Sequence, residues 1–142
     1  MKLVFAEAQL EHAPEVFISS GAEHANPEVP ERAVRLRAAA QKFGLKEVAP
    51  PDYGRDALLA AHSARYLDFL ENIFRRWQYI EGGSRYAMPN IHPDGRDGGY
   101  PASAAGQVGF HIYDGSCPVD ATTWESARWS ANSALHAAEL VL

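Results

Sequence analysis

Two short apolar runs in the first third of the chain enclose an irregular stretch and a stretch with helical periodicity. Lys2–Ala6 predicts a buried strand and Lys46–Ala49 predicts a second one, while residues 7–29, which prolines and a glycine interrupt, predict irregular structure. A helix is predicted to open at Pro30, because the fixed φ of proline suits a first helical turn, and to end at Gly44. Its apolar positions recur at three- and four-residue steps: Ala33, Leu36, Ala40 and Phe43.

Helical periodicity returns in the middle and at the end of the chain. Residues 55–61 predict a short helix, and Ser63 is placed to cap a longer one that runs to Trp77. The apolar stripe of the longer helix predicts core packing and consists of Tyr66, Leu70, Ile73, Phe74 and Trp77. Thr122 and Glu125 have the spacing of a capping box, which predicts a last helix whose pattern continues to Leu142.

Residues 81–120 show no long periodic segment, and Gly, Pro, Asn and Asp recur in them. Only residues 108–113 predict a strand. A loop of this length is usually functional or disordered. Its aromatic residues argue against disorder, because disordered segments are poor in aromatics; they are Tyr86, Tyr100, Phe110 and Tyr113.

The predicted elements do not close into a complete domain. Apolar strands separated by helices predict parallel pairing in an α/β sheet that is covered on both faces, and such a sheet needs more than two or three strands. The apolar end of the last helix also needs a surface to pack against. We therefore expect the N-terminal part of a longer α/β domain; the alternative is a small α+β domain with a helical C-terminus.

Composition and charge narrow the function classes. The 142 residues carry a net charge of −5, which argues against a nucleic-acid-binding surface, and no run is long and apolar enough to span a membrane. The apolar stretch at the N-terminus is short and interrupted by Glu7, so it does not resemble a signal peptide. A single cysteine allows no internal disulfide. These features predict a cytoplasmic protein without a nucleic-acid or membrane partner.

The histidines do not predict a metal site by their spacing. His24 follows Glu23, and His92 lies near Asp94 and Asp97, but none of the six histidines shows H-E-x-x-H spacing. Their more common role is to pair with neighbouring polar groups.

The remaining motifs that could carry chemistry are also incomplete. Cys117 precedes Pro118 without a histidine at a dictated spacing, so we expect a half-buried packing residue rather than a nucleophile. The glycine-rich residues 95–100 do not lie between a clear strand and a helix, which is the context that a phosphate-binding loop requires. The residues alone give no complete catalytic constellation.

Several segments, taken together, resemble the N-terminal part of the histone deacetylase-like amidohydrolases, especially the bacterial acetylpolyamine amidohydrolases. The resemblance covers nearly all of the chain, and the order and spacing of the segments make it specific. The segments are L-V-F-A-E at 3–7, N-P-E-V-P-E-R-A at 26–33, A-A-H-S-A-R-Y-L-D-F-L-E at 60–71, A-G-Q-V-G at 105–109, and D-G-S-C-P-V at 114–119 followed by T-T-W-E-S-A.

The resemblance implies a fold and a reaction. The fold is the arginase/deacetylase type, a parallel sheet between helix layers, with residues 1–142 as the N-terminal part of one domain and residues 81–120 as a long insertion at the active-site rim. The reaction is zinc-dependent hydrolysis of the N-acetyl amide of polyamines or acetyl-lysine-like substrates. In the family, the metal ligands, the histidine pair and the assisting tyrosine lie C-terminal to the position of Leu142. We therefore assign no catalytic or metal-binding residue in this chain and expect it to be inactive alone.

Two residues of the chain match functional positions of the family. Asp114 matches an acidic residue at the rim of the active-site tunnel that accepts a hydrogen bond from substrate; alternatively, it is an ordinary Asx-turn residue before Gly115. Arg32 matches an arginine near an internal channel beneath the metal site; alternatively, it is a surface charge of a helix. One departure from the family is Asn26, where many members have histidine.

Residues 81–104 correspond to the family's variable insertion. In polyamine-type members this insertion forms a dimer contact and narrows the entrance for slender cationic substrates. The residues here that suit such a homodimer interface are Tyr86, Met88, Pro89, Ile91 and Tyr100. Two other functions remain as alternatives: a non-catalytic binding or dimerisation module that uses this loop, and an arginase-like ureohydrolase with two manganese ions.

Overall fold

The fold was obtained as a computed structural model, which describes residues 1–93 and 99–142. The strands are β1 (Lys2–Val4), β2 (Val16–Ser19), β3 (Ala22–Ala25) and β4 (Lys46–Val48). The α-helices are α1 (Glu31–Lys42), α2 (Gly54–Leu59), α3 (Ala64–Trp77), α4 (Ala104–His111) and α5 (Thr123–Glu139), and Glu7–Leu10 form a 3₁₀ helix. The chain divides into two compact units, which we describe separately: residues 1–13, 28–62 and 122–142, and residues 14–27 with 63–121.

The first unit contains the parallel pair that the sequence predicts. Strands β1 and β4 pair in parallel, with Leu3 opposite Glu47, and helix α1 connects them as predicted from its proline start. One further backbone hydrogen bond extends the pair, from the amide of Phe5 to the carbonyl of Val48 at 3.1 Å. The two strands form an α/β crossover of the kind that parallel sheets require.

Helix α1 forms where the sequence predicts it, but its apolar positions are not buried. None of its residues is buried, and Leu36 is 72% exposed. Arg37 on this helix contacts Glu7 and Glu47, with nitrogen–oxygen distances of 2.6 and 2.5 Å. Glu47 is the central residue of β4 and Glu7 begins the 3₁₀ helix after β1, so Arg37 connects α1 to the sheet and to the segment that follows β1. The helix is therefore held to the sheet by charged contacts more than by its apolar stripe.

The predicted capping box at the start of α5 is wrong. Thr122 has helical backbone angles and its side chain caps no amide of α5; its hydroxyl donates to the carbonyl of Glu11 at 3.0 Å. Glu125 pairs with Arg128 instead, at 2.7 Å. Thr122 therefore makes a tertiary hydrogen bond to the residue after the 3₁₀ helix in place of the predicted capping hydrogen bond within α5. Ser126 adds a second such contact by donating to the carbonyl of Gln9 at 2.8 Å.

The second unit contains a hydrophobic core, and the apolar stripe of α3 packs in it as the sequence predicts. Ser63 caps this helix by accepting from the amide of Tyr66 at 3.2 Å, which confirms the predicted start. From the predicted stripe Ile73 and Trp77 are buried, and the others are partly buried against the core. The buried core cluster consists of Phe69, Ile73, Trp77, Ala87, Val108, Ile112 and Val119.

The strand predicted at residues 108–113 is wrong, because residues 108–111 form the end of α4 and residues 112–113 follow the helix without forming a strand. Ser103 caps the helix by accepting from the amide of Gly106 at 3.1 Å. Gly109 lets the backbone of the preceding segment approach closely: a Cβ at this position would lie 1.6 Å from the carbonyl oxygen of Ile91. Cap and packing together outweigh the strand propensity of V-G-F-H-I-Y.

The second unit also contains a hairpin where the sequence predicts irregular structure. Strands β2 and β3 pair antiparallel, with Ile18 opposite Glu23. The turn uses positive φ at both central residues, 51° at Ser20 and 77° at Gly21, as the tight hairpin turns of twisted strands require. Among the described residues, no helix has the length and apolar character needed to cross a membrane.

Candidate substrate-binding rim

The loop that carries Asp114 is fixed at both of its ends. Ile112 is buried in the core of the second unit, and Pro118 is fully buried. Beyond it, Val119 and Ala87 exchange two backbone hydrogen bonds of 2.8 and 3.1 Å. Residues 113–117 therefore form a short exposed segment between two buried anchors.

Asp114 is exposed and forms an Asx turn. Its Oδ1 accepts from the amide of Ser116 at 2.8 Å, as in the alternative that treats it as a turn residue. A carboxylate has about four acceptor sites, so one turn hydrogen bond leaves the group able to accept from another molecule. The two interpretations of Asp114 are thus compatible, and its contact with substrate stays a prediction.

The β2–β3 hairpin lies against this loop within the second unit. The amide of Ile18 donates to the carbonyl of Gly115 at 2.9 Å, on the edge of β2 that faces away from β3. This hydrogen bond joins the residue after Asp114 to the hairpin. The rim described here therefore consists of the hairpin and residues 112–119.

The base of the hairpin is held by Glu15. Its carboxylate pairs with Arg85 through two hydrogen bonds of 2.6 and 3.1 Å, and its amide donates to the hydroxyl of Tyr86 at 3.0 Å. The hydrogen bond from Arg85 and its charge hold the pKa of Glu15 below the ordinary value. Asn26 follows β3 at the same open end of the hairpin, and its backbone amide donates to the carbonyl of Glu15 at 2.9 Å. These contacts connect the hairpin to the segment that contains Tyr86.

Two other side chains of the loop bear on its chemistry. The ring of Tyr113, directly before Asp114, is 89% exposed. Cys117 is exposed as a residue, yet partial burial of its thiol raises the pKa, and the carboxylate of Asp114 raises it further. A thiol with a raised pKa stays protonated near neutral pH, which supports the interpretation that Cys117 is not a nucleophile.

Arg32 lies on α1 in the first unit, a helix without a buried residue. Its guanidinium forms an ion pair with Glu28, one turn earlier, and the Arg32 side chain is 61% exposed. The geometry is that of a helix surface charge. Its predicted position near an internal channel stays a prediction.

Within residues 1–93 and 99–142, no three His, Cys, Asp or Glu side chains come together as a metal site would require. His92 forms a hydrogen bond with the carbonyl of Gly109 at 3.0 Å, and His111 forms one with the hydroxyl of Tyr100 at 3.0 Å. Burial lowers the pKa of His111, and the charge of Arg65 lowers it further. Asp94 and Asp97, which lie near His92 in sequence, and most of the glycine-rich residues 95–100 fall outside the described part of the chain.

The predicted dimer residues of the insertion differ in exposure. Tyr86 is 3% exposed and belongs to the interior of the second unit, and Tyr100 is partly buried and bonded to His111. Ile91 is 52% exposed, and Met88 and Pro89 are partly exposed. The exposed candidates for a contact are therefore in residues 88–91.

Sequence reasoning missed the residues that support the rim. Arg85 and Glu15 are 70 positions apart, and nothing in their local sequence pairs them. The hairpin did leave a signal: the dipeptide Ser20–Gly21 lies between two four-residue segments, one of which is β-prone.

The chain is similar to bacterial acetylpolyamine amidohydrolases in sequence and in fold. The chain is 40% identical to an acetylpolyamine amidohydrolase of Burkholderia pseudomallei over 142 residues, which are 99% of this chain and 41% of the relative. It is 39% identical to acetylpolyamine amidohydrolase 1 of Pseudomonas aeruginosa over 116 residues, 79% of this chain and 33% of that protein. No family model matches the chain.

A solved structure agrees with these relatives. The crystal structure of acetylpolyamine aminohydrolase from Burkholderia pseudomallei matches with a TM-score of 0.90 and 40% identity, over 97% of this chain and 40% of that one. This match confirms the predicted α/β fold of the deacetylase type. The chain spans 41% of the length of the first of its curated relatives. We conclude that the chain is homologous to the acetylpolyamine amidohydrolases over that part of their length.

Proposed function

We propose that the protein containing this chain hydrolyses the acetyl amide of acetylated polyamines, releasing acetate and the free amine. The observation that carries the proposal is the 40% identity to an acetylpolyamine amidohydrolase over 99% of this chain. The matching fold, with a TM-score of 0.90 to a solved aminohydrolase, supports it. An identity of 40% over 142 residues indicates that the two proteins share more than their fold, which supports a shared reaction.

The rim of the second unit suits a cationic substrate. Asp114 presents an exposed carboxylate, and the neighbouring ring of Tyr113 is exposed as well. A carboxylate and an aromatic face both attract an ammonium group. We assign Asp114 the role of hydrogen-bond acceptor for the substrate, with its turn contact to Ser116 fixing the orientation. Acetyl-lysine-like amides are the competing substrate class.

The proposed reaction requires a metal ion whose ligands are not among the described residues. Zn²⁺, when bound, would polarise the acetyl carbonyl and lower the pKa of a bound water. The described residues do not offer a fitting set of ligands. The contribution that we assign to this chain is therefore to bind and orient the substrate at the entrance. We accordingly propose that it has no catalytic or metal-binding residue and is inactive alone.

Two further roles belong to the same proposal. Arg32 would lie near an internal channel; its exposed position on a helix without a buried face suits a residue that another part of an enzyme covers. A homodimer would form through residues 81–104, where Ile91 is the exposed apolar side chain. Sedimentation of wild-type protein and Ile91→Glu tests the dimer: a shift of the variant to monomer is expected, and identical sedimentation would contradict it.

Expression of the complete reading frame that encodes these residues tests the function. We expect release of acetate from an acetylated diamine, loss of activity in a chelator and its return with Zn²⁺. The same protein is given an acetyl-lysine peptide as the competing substrate. Absence of turnover with every acetylated amine would overturn the proposal, and activity that survives complete metal removal would overturn its zinc part.

A further inference from the structure

We infer that Gly115 is a positioning residue: its close contact with Ile18 sets the place at which the loop presents Asp114 to substrate. The inference rests on the proposed function and names a determinant of it. It concerns one contact inside the second unit, between the hairpin and residues 112–119.

The contact leaves no room for a side chain at position 115. A Cβ on Gly115 would lie 2.6 Å from the Cβ and 2.7 Å from the carbonyl oxygen of Ile18. Both atoms are fixed by the backbone of Ile18, so no change of side-chain rotamer relieves the overlap. The φ of Gly115 is not in the left-handed region, and glycine is therefore required here by space alone.

Strand pairing and hydrogen bonds hold the backbone of Ile18 in place, so it cannot easily move away from a Cβ at position 115. It lies in β2, whose pairing with β3 places it opposite Glu23. The start of the hairpin is fixed by the double hydrogen bond between Glu15 and Arg85. The amide of Ile18 is committed to Gly115 itself, so moving the hairpin away breaks that hydrogen bond.

The ends of the loop cannot yield either. Ile112 is buried, Pro118 is fully buried and Val119 is paired with Ala87. A displacement caused at position 115 therefore falls on the exposed residues between these anchors, which include Asp114.

Asp114 is coupled directly to the backbone at 115. Its Asx turn spans Gly115, because the carboxylate accepts from the amide of Ser116 on the other side. Any shift of the main chain at Gly115 changes this turn and moves the carboxylate. A carboxylate that is moved out of hydrogen-bonding distance of a cationic substrate weakens binding by about tenfold to 100-fold, the value of a hydrogen bond to a charged group.

The test uses the complete protein and four variants. Gly115→Ala opens the contact, Asp114→Ala removes the carboxylate, and the double variant combines them. Gly44→Ala is the control for a destabilising glycine substitution away from the loop, because the φ of 78° at Gly44 strains an alanine although an added Cβ meets no atom within 4 Å, and Gly44 lies in the first unit. Readouts are kcat and KM for an acetylated diamine, and hydrogen exchange of the Ile18 amide.

We expect Gly115→Ala to raise KM about tenfold or more, with less effect on kcat, and to expose the Ile18 amide to exchange. Gly44→Ala should leave KM and that amide unchanged. In the Asp114→Ala background, Gly115→Ala should add no further loss, because it acts through that carboxylate. Additive losses, or an exposed Ile18 amide with an unchanged KM, would overturn the inference while the proposed function stands.

Arg85→Ala is a second variant that loosens the hairpin without adding bulk to the loop, should Gly115→Ala not fold. It should speed exchange at Ile18 and raise KM up to about fivefold, the range of an exposed ion pair. Faster exchange without a change in KM would overturn the inference. Wild-type protein without turnover of any acetylated amine would overturn the proposed function, and the inference with it.

Discussion

Arg85 holds the start of the β2–β3 hairpin through two hydrogen bonds to Glu15, of 2.6 and 3.1 Å. The pair keeps the pKa of Glu15 below its ordinary value of 4.5 in the folded chain. A lowered carboxyl pKa stabilises the fold above the unfolded pKa, and the stabilisation is lost as pH falls through the folded pKa. Through this ion pair, the hairpin is expected to lose stability as the pH falls into the acidic range.

The first prediction concerns the pH dependence that the lowered pKa of Glu15 gives to the hairpin. Protection of the Ile18 amide from hydrogen exchange should be constant near neutral pH and should fall as pH drops below about 4.5. Exchange rates corrected for intrinsic pH dependence measure it. In Arg85→Ala the fall should be absent; a wild-type profile that matches this variant would contradict the role of the pair.

The second prediction separates the two roles of Asp114. Asp114→Asn keeps an oxygen that can accept from Ser116 but removes the charge, whereas Asp114→Ala removes both. If the charge holds a cationic substrate, both variants should raise KM by about tenfold to 100-fold, the value of a hydrogen bond to a charged group. Steady-state kinetics and zinc content measure it, with zinc unchanged. A fully active Asp114→Asn with an impaired Asp114→Ala would leave only the turn role.

The third prediction concerns a buried amide of α5. The side chain of Asn132 is 0% exposed, and its Oδ1 accepts from the amide of Tyr53 at 3.3 Å. Asn132→Ala leaves that amide without its acceptor and should lower the free energy of unfolding by about 1–3 kcal/mol. Urea denaturation measures it. Ser130→Ala, on the exposed side of α5, is the control and should change stability by about 0.5 kcal/mol or less.

The fourth prediction tests the packing that makes α4 a helix. Alanine is intrinsically better than glycine in a helix by about 1 kcal/mol, yet a Cβ at Gly109 would lie 1.6 Å from the carbonyl oxygen of Ile91. The steric overlap should outweigh the gain in helix propensity, so Gly109→Ala should lower the free energy of unfolding by about 1–3 kcal/mol. Thermal unfolding measures this change. Ala38→Gly, on exposed α1, measures the intrinsic difference. A stabilised Gly109→Ala would show that the segment around Ile91 does not pack closely on α4.

Local signals predicted much of the fold. Ser63 and the apolar period identified α3, Pro30 identified the start of α1, and apolar runs separated by a helix identified the parallel pair β1–β4. Each of these signals acts within a few residues, so the sequence alone contains it.

The failures came from contacts between distant segments. The capping interpretation of Thr122 failed because its hydroxyl bonds to Glu11, 111 positions away. The strand at 108–113 failed because Gly109 packs against Ile91. The rim was predicted only at Asp114, through the family resemblance, since the pairing of Glu15 with Arg85 has no local pattern.

Turnover of an acetylated diamine by the product of the complete reading frame tests the proposed function most directly. We expect release of acetate that requires zinc, with a higher kcat/KM for the acetylated diamine than for a neutral acetyl amide of equal length. The Asp114→Asn variant should reduce this preference. No acetate release from any acetylated amine by folded, zinc-supplied protein would contradict the proposed function.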